Sequence, residues 1–126
     1  MDNMTKLNNN MLNSIAHNML QDYDSKAPGT IFKKGLHLSL GDARRVQNAI
    51  TNLREKRGEM VVGLKIGCTS KYNQKKMGLS HPVWGRLWST EQYSNNTILH
   101  KKQFTNVALE AEFAIITLAP DTRPST

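Results

Sequence analysis

The chain has 126 residues, 38% hydrophobic and 21% charged, with a formal net charge of +7. That length fits one domain with a moderate core. No apolar run approaches the roughly 18 residues of a membrane span, so no membrane partner is expected. A single cysteine, Cys68, excludes an internal disulfide framework and fits a reducing cytosol. The start of the chain lacks an apolar signal core, and no arginine precedes Arg44. A cytoplasmic location is therefore expected.

Net charge alone would suit nucleic acid. The basic residues, however, are scattered in pairs such as Lys33 and Lys34, Arg44 and Arg45, and Lys101 and Lys102. Aromatics make up only 6% of the chain, so stacking platforms are scarce. The basic pairs read as solvated faces that also attract small anionic substrates, and nucleic acid is not the expected partner.

Residues 3–24 carry Leu7, Met11, Ile15 and Met19 at spacings of four, which predicts an amphipathic helix. His17 on it reads as a surface residue. Residues 25–29 form a turn, and residues 31–40 a loop with apolar anchors. A second helix opens at Ser39, with Asp42 three residues on as in a capping box. Its apolar stripe is Ala43, Val46, Ile50 and Leu53. Positive charge at residues 54–57 suits the C-terminal dipole, and Gly58 stops the helix.

Residues 60–68 predict a strand, Met-Val-Val-Gly-Leu-Lys-Ile-Gly-Cys. Lys65 stands in its middle, flanked two positions away by Gly63 and Gly67. Burial would lower the lysine's pKa and make it an acid or base, or it would hold an anion. The competing reading is an edge-strand lysine that blocks aggregation. Cys68 reads as a buried small hydrophobe rather than a nucleophile. Ser70 caps a short helix to Met77, ended by Gly78. Residues 81–88 read as a loop, with His81 a loop residue rather than a site residue and Trp84 packing or lining a pocket. A short strand is predicted over residues 97–99.

Residues 107–118, Val-Ala-Leu-Glu-Ala-Glu-Phe-Ala-Ile-Ile-Thr-Leu, predict a half-buried strand. Glu110 and Glu112 share one face, about 6.6 Å apart at about 3.3 Å per residue. Leu109, Ala111, Phe113 and Ile115 take the other. Two carboxylates on a half-buried face repel, and a hard cation such as Mg²⁺ or Mn²⁺ would relieve them. The alternative is a wet face of a half-exposed strand. Ala108 and Ala114 beside the glutamates leave room for a ligand.

Taken together, several segments resemble the 2-keto-4-pentenoate hydratase family of the fumarylacetoacetate hydrolase superfamily, which includes the 4-oxalocrotonate decarboxylases. They are Ala43-Arg44-Arg45-Val46-Gln47, the run Val61 to Ser70, then Gln74, Met77-Gly78, Pro82, Gly85, Leu87 and Glu110-Ala111-Glu112. The likeness covers residues 38–118, between an N-terminal helix and linker (1–37) and a polar tail (119–126). It implies an α+β fold: N-terminal helices followed by the first part of a mixed rolled β-sheet, truncated after the E-x-E strand.

The resemblance also implies chemistry. The family adds water to 2-hydroxypenta-2,4-dienoate in the catabolism of aromatic compounds, using Mg²⁺ or Mn²⁺. It makes Glu110 and Glu112 metal ligands and Lys65 the catalytic acid/base or substrate contact. The substrate would be a small 2-oxo or 2-hydroxy-dienoic acid. Departures accompany the likeness. Ser80 and Val83 stand where the family often has acids, Val107-Ala108 replaces a Pro-Arg, and the third acidic ligand that the family carries further along is missing. Three alternatives stay open at this stage: a hydratase, a decarboxylase-like fragment, and a non-catalytic partner of a full-length relative. A half-domain would leave apolar faces uncovered, which predicts a homo-oligomer or association with such a relative.

Overall fold

The computed structural model describes residues 7–27 and 29–117. Helix α1 spans Asn9–Asp24, and the Asn8 side chain caps it by accepting from the Met11 amide at 2.9 Å. The residues it buries are Leu12, Ile15 and Ala16, whereas Met11 is exposed. The expected stripe is thus rotated. A strict spacing of four drifts about 40° per step on a helix of 3.6 residues per turn, so Met11 falls on the shoulder. The set Leu12, Ile15, Ala16 and Met19 holds one face.

After the turn at Ser25 and Lys26, a helical turn α2, Thr30–Lys33, stands where a loop was expected. The Asp22 carboxylate organises it. Its Oδ2 accepts from the Thr30 amide at 2.6 Å, and its Oδ1 from the Thr30 hydroxyl at 2.9 Å. A carboxylate at exposed N-terminal amides is a favourable charge–dipole arrangement.

Helix α3, Leu40–Lys56, begins as predicted. Ser39 Oγ accepts from the Asp42 amide at 3.0 Å. Gly58 follows at φ +92°, the left-handed conformation that ends many helices and that glycine adopts without a Cβ penalty. Val46 is 2% exposed and meets Leu12, Ile15 and Ala16 of α1 to form the core, with Met19, Leu36, Leu38 and Ile50 packed around it. Arg45 ties the two helices at their edge. Its guanidinium donates to Asp42 Oδ1, to the Leu7 carbonyl, both at 2.8 Å, and to Asn9 Oδ1 at 3.2 Å.

Strand β1 spans Val61–Gly67, then helix α4 Lys71–Lys76, then strand β2 Val83–Trp88. The strands pair antiparallel, with Lys65 opposite Gly85 and Ile66 opposite Trp84, and an irregularity between Val61 and Gly63. The architecture is α+β: N-terminal helices followed by a two-stranded antiparallel sheet. β2 replaces most of the loop predicted over residues 81–88. Its alternation of Val83, Gly85 and Leu87 with Trp84, Arg86 and Trp88 is a strand period, obscured by the glycine and the neighbouring His-Pro.

Beyond β2 come two 3₁₀ turns, Ser89–Glu91 and Lys101–Gln103. The strand expected at residues 97–99 is absent. So is the strand expected over residues 107–118: residues 107–117 have no regular structure, and Leu118 and the tail lie outside the described residues. Strands persist by exchanging hydrogen bonds with a neighbour, and this segment has none among the described residues. Its apolar side is correspondingly bare, with Leu109 95% exposed and Phe113 fully so. No helix of the described residues is long and apolar enough to cross a membrane.

Candidate functional site

Lys65 sits mid-strand on β1, and glycines surround it on the ladder: Gly63 and Gly67 along its own strand, Gly85 opposite. A Cβ on any of the three would make only ordinary contacts with neighbouring side chains, at 3.4 Å or more. The lysine rises from a patch that is mostly backbone, and its side chain is 48% exposed.

The three residues singled out from sequence come together. Lys65 Nζ donates to Glu112 Oε1 at 2.6 Å, and Glu110 Oε2 lies 3.8 Å from the same nitrogen. They belong to segments 45 residues apart, on a strand and on an irregular stretch. The hydrogen bond to Glu112 raises the Lys65 pKa; slight burial works against it, and the two carboxylate charges add to it. This corrects the expectation that burial lowers that pKa. At neutral pH the lysine is a cation.

The two carboxylates face one positive charge, the Lys65 ammonium, and all three side chains are about half exposed or more. Their oxygens are the donor type that Mg²⁺ and Mn²⁺ take, and Mg²⁺ is often bound through one or two carboxylates plus water and substrate. The pair fits such an ion as a partial ligand set. Among the described residues, no group of three or more His, Cys, Asp or Glu converges to hold a metal.

Other candidates separate from this cluster. His17 is exposed on α1, as expected. His81 turns its Nδ1 to the Pro82 carbonyl at 2.7 Å, a local contact of a loop residue. Trp84 is partly exposed, with the Arg86 guanidinium 5.2 Å from its ring centroid. Cys68 is only partly covered, at φ +54°, with its Sγ 3.3 Å from Met77 Sδ, so the buried-hydrophobe reading does not hold.

Sequence reasoning missed a second polar cluster. Arg54, read as a solvated C-terminal charge, is 6% exposed, and Glu59 is buried with it. Arg54 Nε donates to Glu59 Oε2 at 2.8 Å and Nη2 to Glu91 Oε1 at 2.6 Å. Thr90 Oγ1 donates to Glu59 Oε2 at 2.9 Å, and Arg57 pairs with both Glu59 and Asp24. The Arg54 guanidinium also lies 4.2 Å from the Trp88 ring centroid and 5.1 Å from that of Tyr23. Arg54 continues the Val46–Ile50 stripe at a spacing of four, and that spacing was the available signal.

No family model matches the chain. It is 31% identical over 83 residues to a 4-oxalocrotonate decarboxylase of Pseudomonas putida, covering 66% of this chain and 31% of that protein. It is 34% identical over 74 residues to a 2-keto-4-pentenoate hydratase of Burkholderia vietnamiensis, covering 59% of this chain and 28% of that protein. Among solved structures it matches a 4-oxalocrotonate decarboxylase from Pseudomonas putida complexed with magnesium and adipate. There the TM-score is 0.60 and the identity 27%, over 68% of this chain and 33% of the other. The matched stretch is thus about a third of the length of these relatives. Over that stretch, the chain is a homologue of the 4-oxalocrotonate decarboxylases and 2-keto-4-pentenoate hydratases.

Proposed function

We propose that the chain carries the lysine and carboxylate part of a lyase site for small 2-oxo or 2-hydroxy-dienoic acids. The observation that carries this reading is the convergence of Lys65, Glu110 and Glu112 from distant segments of a chain homologous to such lyases. Glu110 and Glu112 would hold Mg²⁺ or Mn²⁺. When bound, such an ion supplies Lewis-acid polarisation of a carbonyl or enol oxygen.

The chain's own residues supply the rest. Lys65 is protonated at neutral pH and stands on a glycine patch that lets a planar acid approach closely. Its ammonium pairs with a substrate carboxylate or delivers the proton that shifts the double bond. The excess of basic residues draws anions toward the surface.

Water addition to 2-hydroxypenta-2,4-dienoate is the first reaction to assay, and decarboxylation of 4-oxalocrotonate the second. With Mg²⁺ present, turnover of one acid is expected, and Lys65→Ala should lower it by about 10²-fold or more, the typical share of a positioned proton donor. No turnover of either acid would overturn the catalytic reading.

A second reading concerns partners, and a specific observation favours it. Val62, Leu64 and Ile66 of β1 are largely exposed, as are Leu109, Phe113, Ile115 and Ile116. Val62, Leu64 and Ile66 lie at even spacings, as do Leu109, Phe113 and Ile115. Were residues 107–117 to lie along the free edge of β1, the glutamates would share the Lys65 face, and Leu109, Phe113 and Ile115 would extend the Leu64–Ile66 face. Such a face needs a cover, supplied by a second copy or a full-length relative. Light scattering on the purified chain should give at least a dimer, and Phe113→Lys/Ile115→Lys should shift it toward monomer. A monomeric wild type at high concentration would remove the self-association reading.

A further inference from the structure

A groove of about 630 Å³ lies between α3, residues 36–38 and β2. That is the size of small-ligand sites. Phe32, Leu36, Leu38, Ile50 and Trp88 give it apolar walls. Among the described residues, Arg86 is the one Asp, Glu, Lys or Arg that lines it. Successive strand residues face opposite sides. Gly85 pairs with Lys65, so Arg86 is directed away from the Lys65 face. None of Lys65, Glu110 and Glu112 lines the groove.

Arg86 lacks the partner that its neighbours have. Its Nη2 donates to Asn48 Oδ1 at 2.9 Å, a neutral acceptor. Its Nη1 is shut off from water and has no acceptor among the described residues. Arg45 and Arg54, which are also covered, meet carboxylates at Asp42 and at Glu59 and Glu91. A guanidinium cannot shed its charge at ordinary pH, and a covered charged donor without an acceptor destabilises a fold. A carboxylate would remove that cost, because its two oxygens match the guanidinium fork. We infer that the groove binds a monocarboxylic acid with an apolar body. A turn of the Arg86 side chain brings Nη1 to the carboxylate, and the chain of the acid lies against Phe32, Leu36, Ile50 and Trp88. Trp84, with its ring centroid 5.2 Å from Arg86 Cζ, steadies the guanidinium by a cation–π contact. The apolar body is needed as well as the charge, because exposed ion pairs alone are weak in water. A second carboxylate would have to lie against apolar walls, so diacids fit poorly. The inference rests on neither the metal nor the lyase reading.

The probe is octanoate, titrated into the full chain and followed by the fluorescence of Trp84 and Trp88. Saturable binding is expected. Octanamide, neutral and of the same shape, should bind about tenfold more weakly or worse, the scale of a charge-assisted hydrogen bond. Suberate, the diacid of the same length, should also bind more weakly than octanoate. Arg86→Met, with circular dichroism unchanged, should lose the preference for octanoate over octanamide, and Lys65→Met should keep it. Arg86→Lys, which keeps the charge without the fork, should retain part of it. Equal binding of octanoate and octanamide by the wild type would overturn the inference, and this comparison decides even where Arg86→Met fails to fold. Binding lost in Lys65→Met and kept in Arg86→Met would place the acid at the lysine site and overturn it as well. So would the absence of saturable octanoate binding by the wild type.

Discussion

Arg54→Ala is expected to cost about 3–5 kcal/mol, the range for removing one partner of a buried ion pair. Few single changes should do more to a domain whose total stability is of the order of 5–15 kcal/mol. The loss arises less from the missing attraction than from what stays behind. Glu59 is buried and accepts from Arg54, Arg57 and Thr90 at once. Without Arg54 one of its charged donors disappears and water cannot fully replace it. Lys at this position keeps the charge but loses the planar fork and the stacking on Trp88, so Arg54→Lys should recover only part of the stability. Urea unfolding followed by tryptophan fluorescence measures both.

The same cluster sets an acid limit. Burial tends to raise the Glu59 pKa, but hydrogen bonds from Arg54, Thr90 and Arg57 outweigh it and bring the value down to about 2, from an ordinary 4.5. A depressed folded-state pKa contributes stability above the unfolded value and loses it as pH falls through the folded one. The Glu59 contribution should therefore be whole above pH 4.5 and fade between 4.5 and about 2. Glu59→Gln should be less stable at neutral pH and flatter across that window.

Trp88→Ala is expected to cost about 3–5 kcal/mol, as large-to-small changes of buried aromatics do. Trp88 is 5% exposed and closes β2 opposite Val61, under the Arg54 guanidinium. It joins the sheet to the C-terminal turn of α3. Removing it empties a large volume and also exposes the ion cluster to water. The Arg54→Ala and Trp88→Ala effects should therefore fall short of additive in the double variant, since the groups share one site. Trp88→Phe should lie between wild type and Trp88→Ala.

The helices were legible because their signals are local. Ser39 with Asp42, Ser70 and Gly58 mark ends by their own hydrogen bonds or dihedral angles. β1 was legible as an apolar run. β2 was not, because Gly85 and Arg86 break the apolar alternation and its partner lies about 20 residues away. The segment after Val107 shows the opposite error. Its residues favour a strand, yet propensity cannot supply the neighbouring backbone that a strand needs. The spacing of Glu110 and Glu112 and the oddness of a lysine in an apolar strand pointed to these residues. Their mutual contact, and the sign of the Lys65 pKa shift, depend on distances that no spacing carries. The Arg54–Glu59 cluster was hidden because four basic and acidic residues in a row read as solvent-facing.

The measurement that bears most directly on the site is calorimetric titration of the chain with Mg²⁺ and Mn²⁺, beside Glu110→Ala/Glu112→Ala. Saturable binding at one site in the wild type, lost in the double variant while its circular dichroism is retained, is the predicted result. Binding that persists in the variant, or that is absent from both, would contradict a metal site built on these two glutamates.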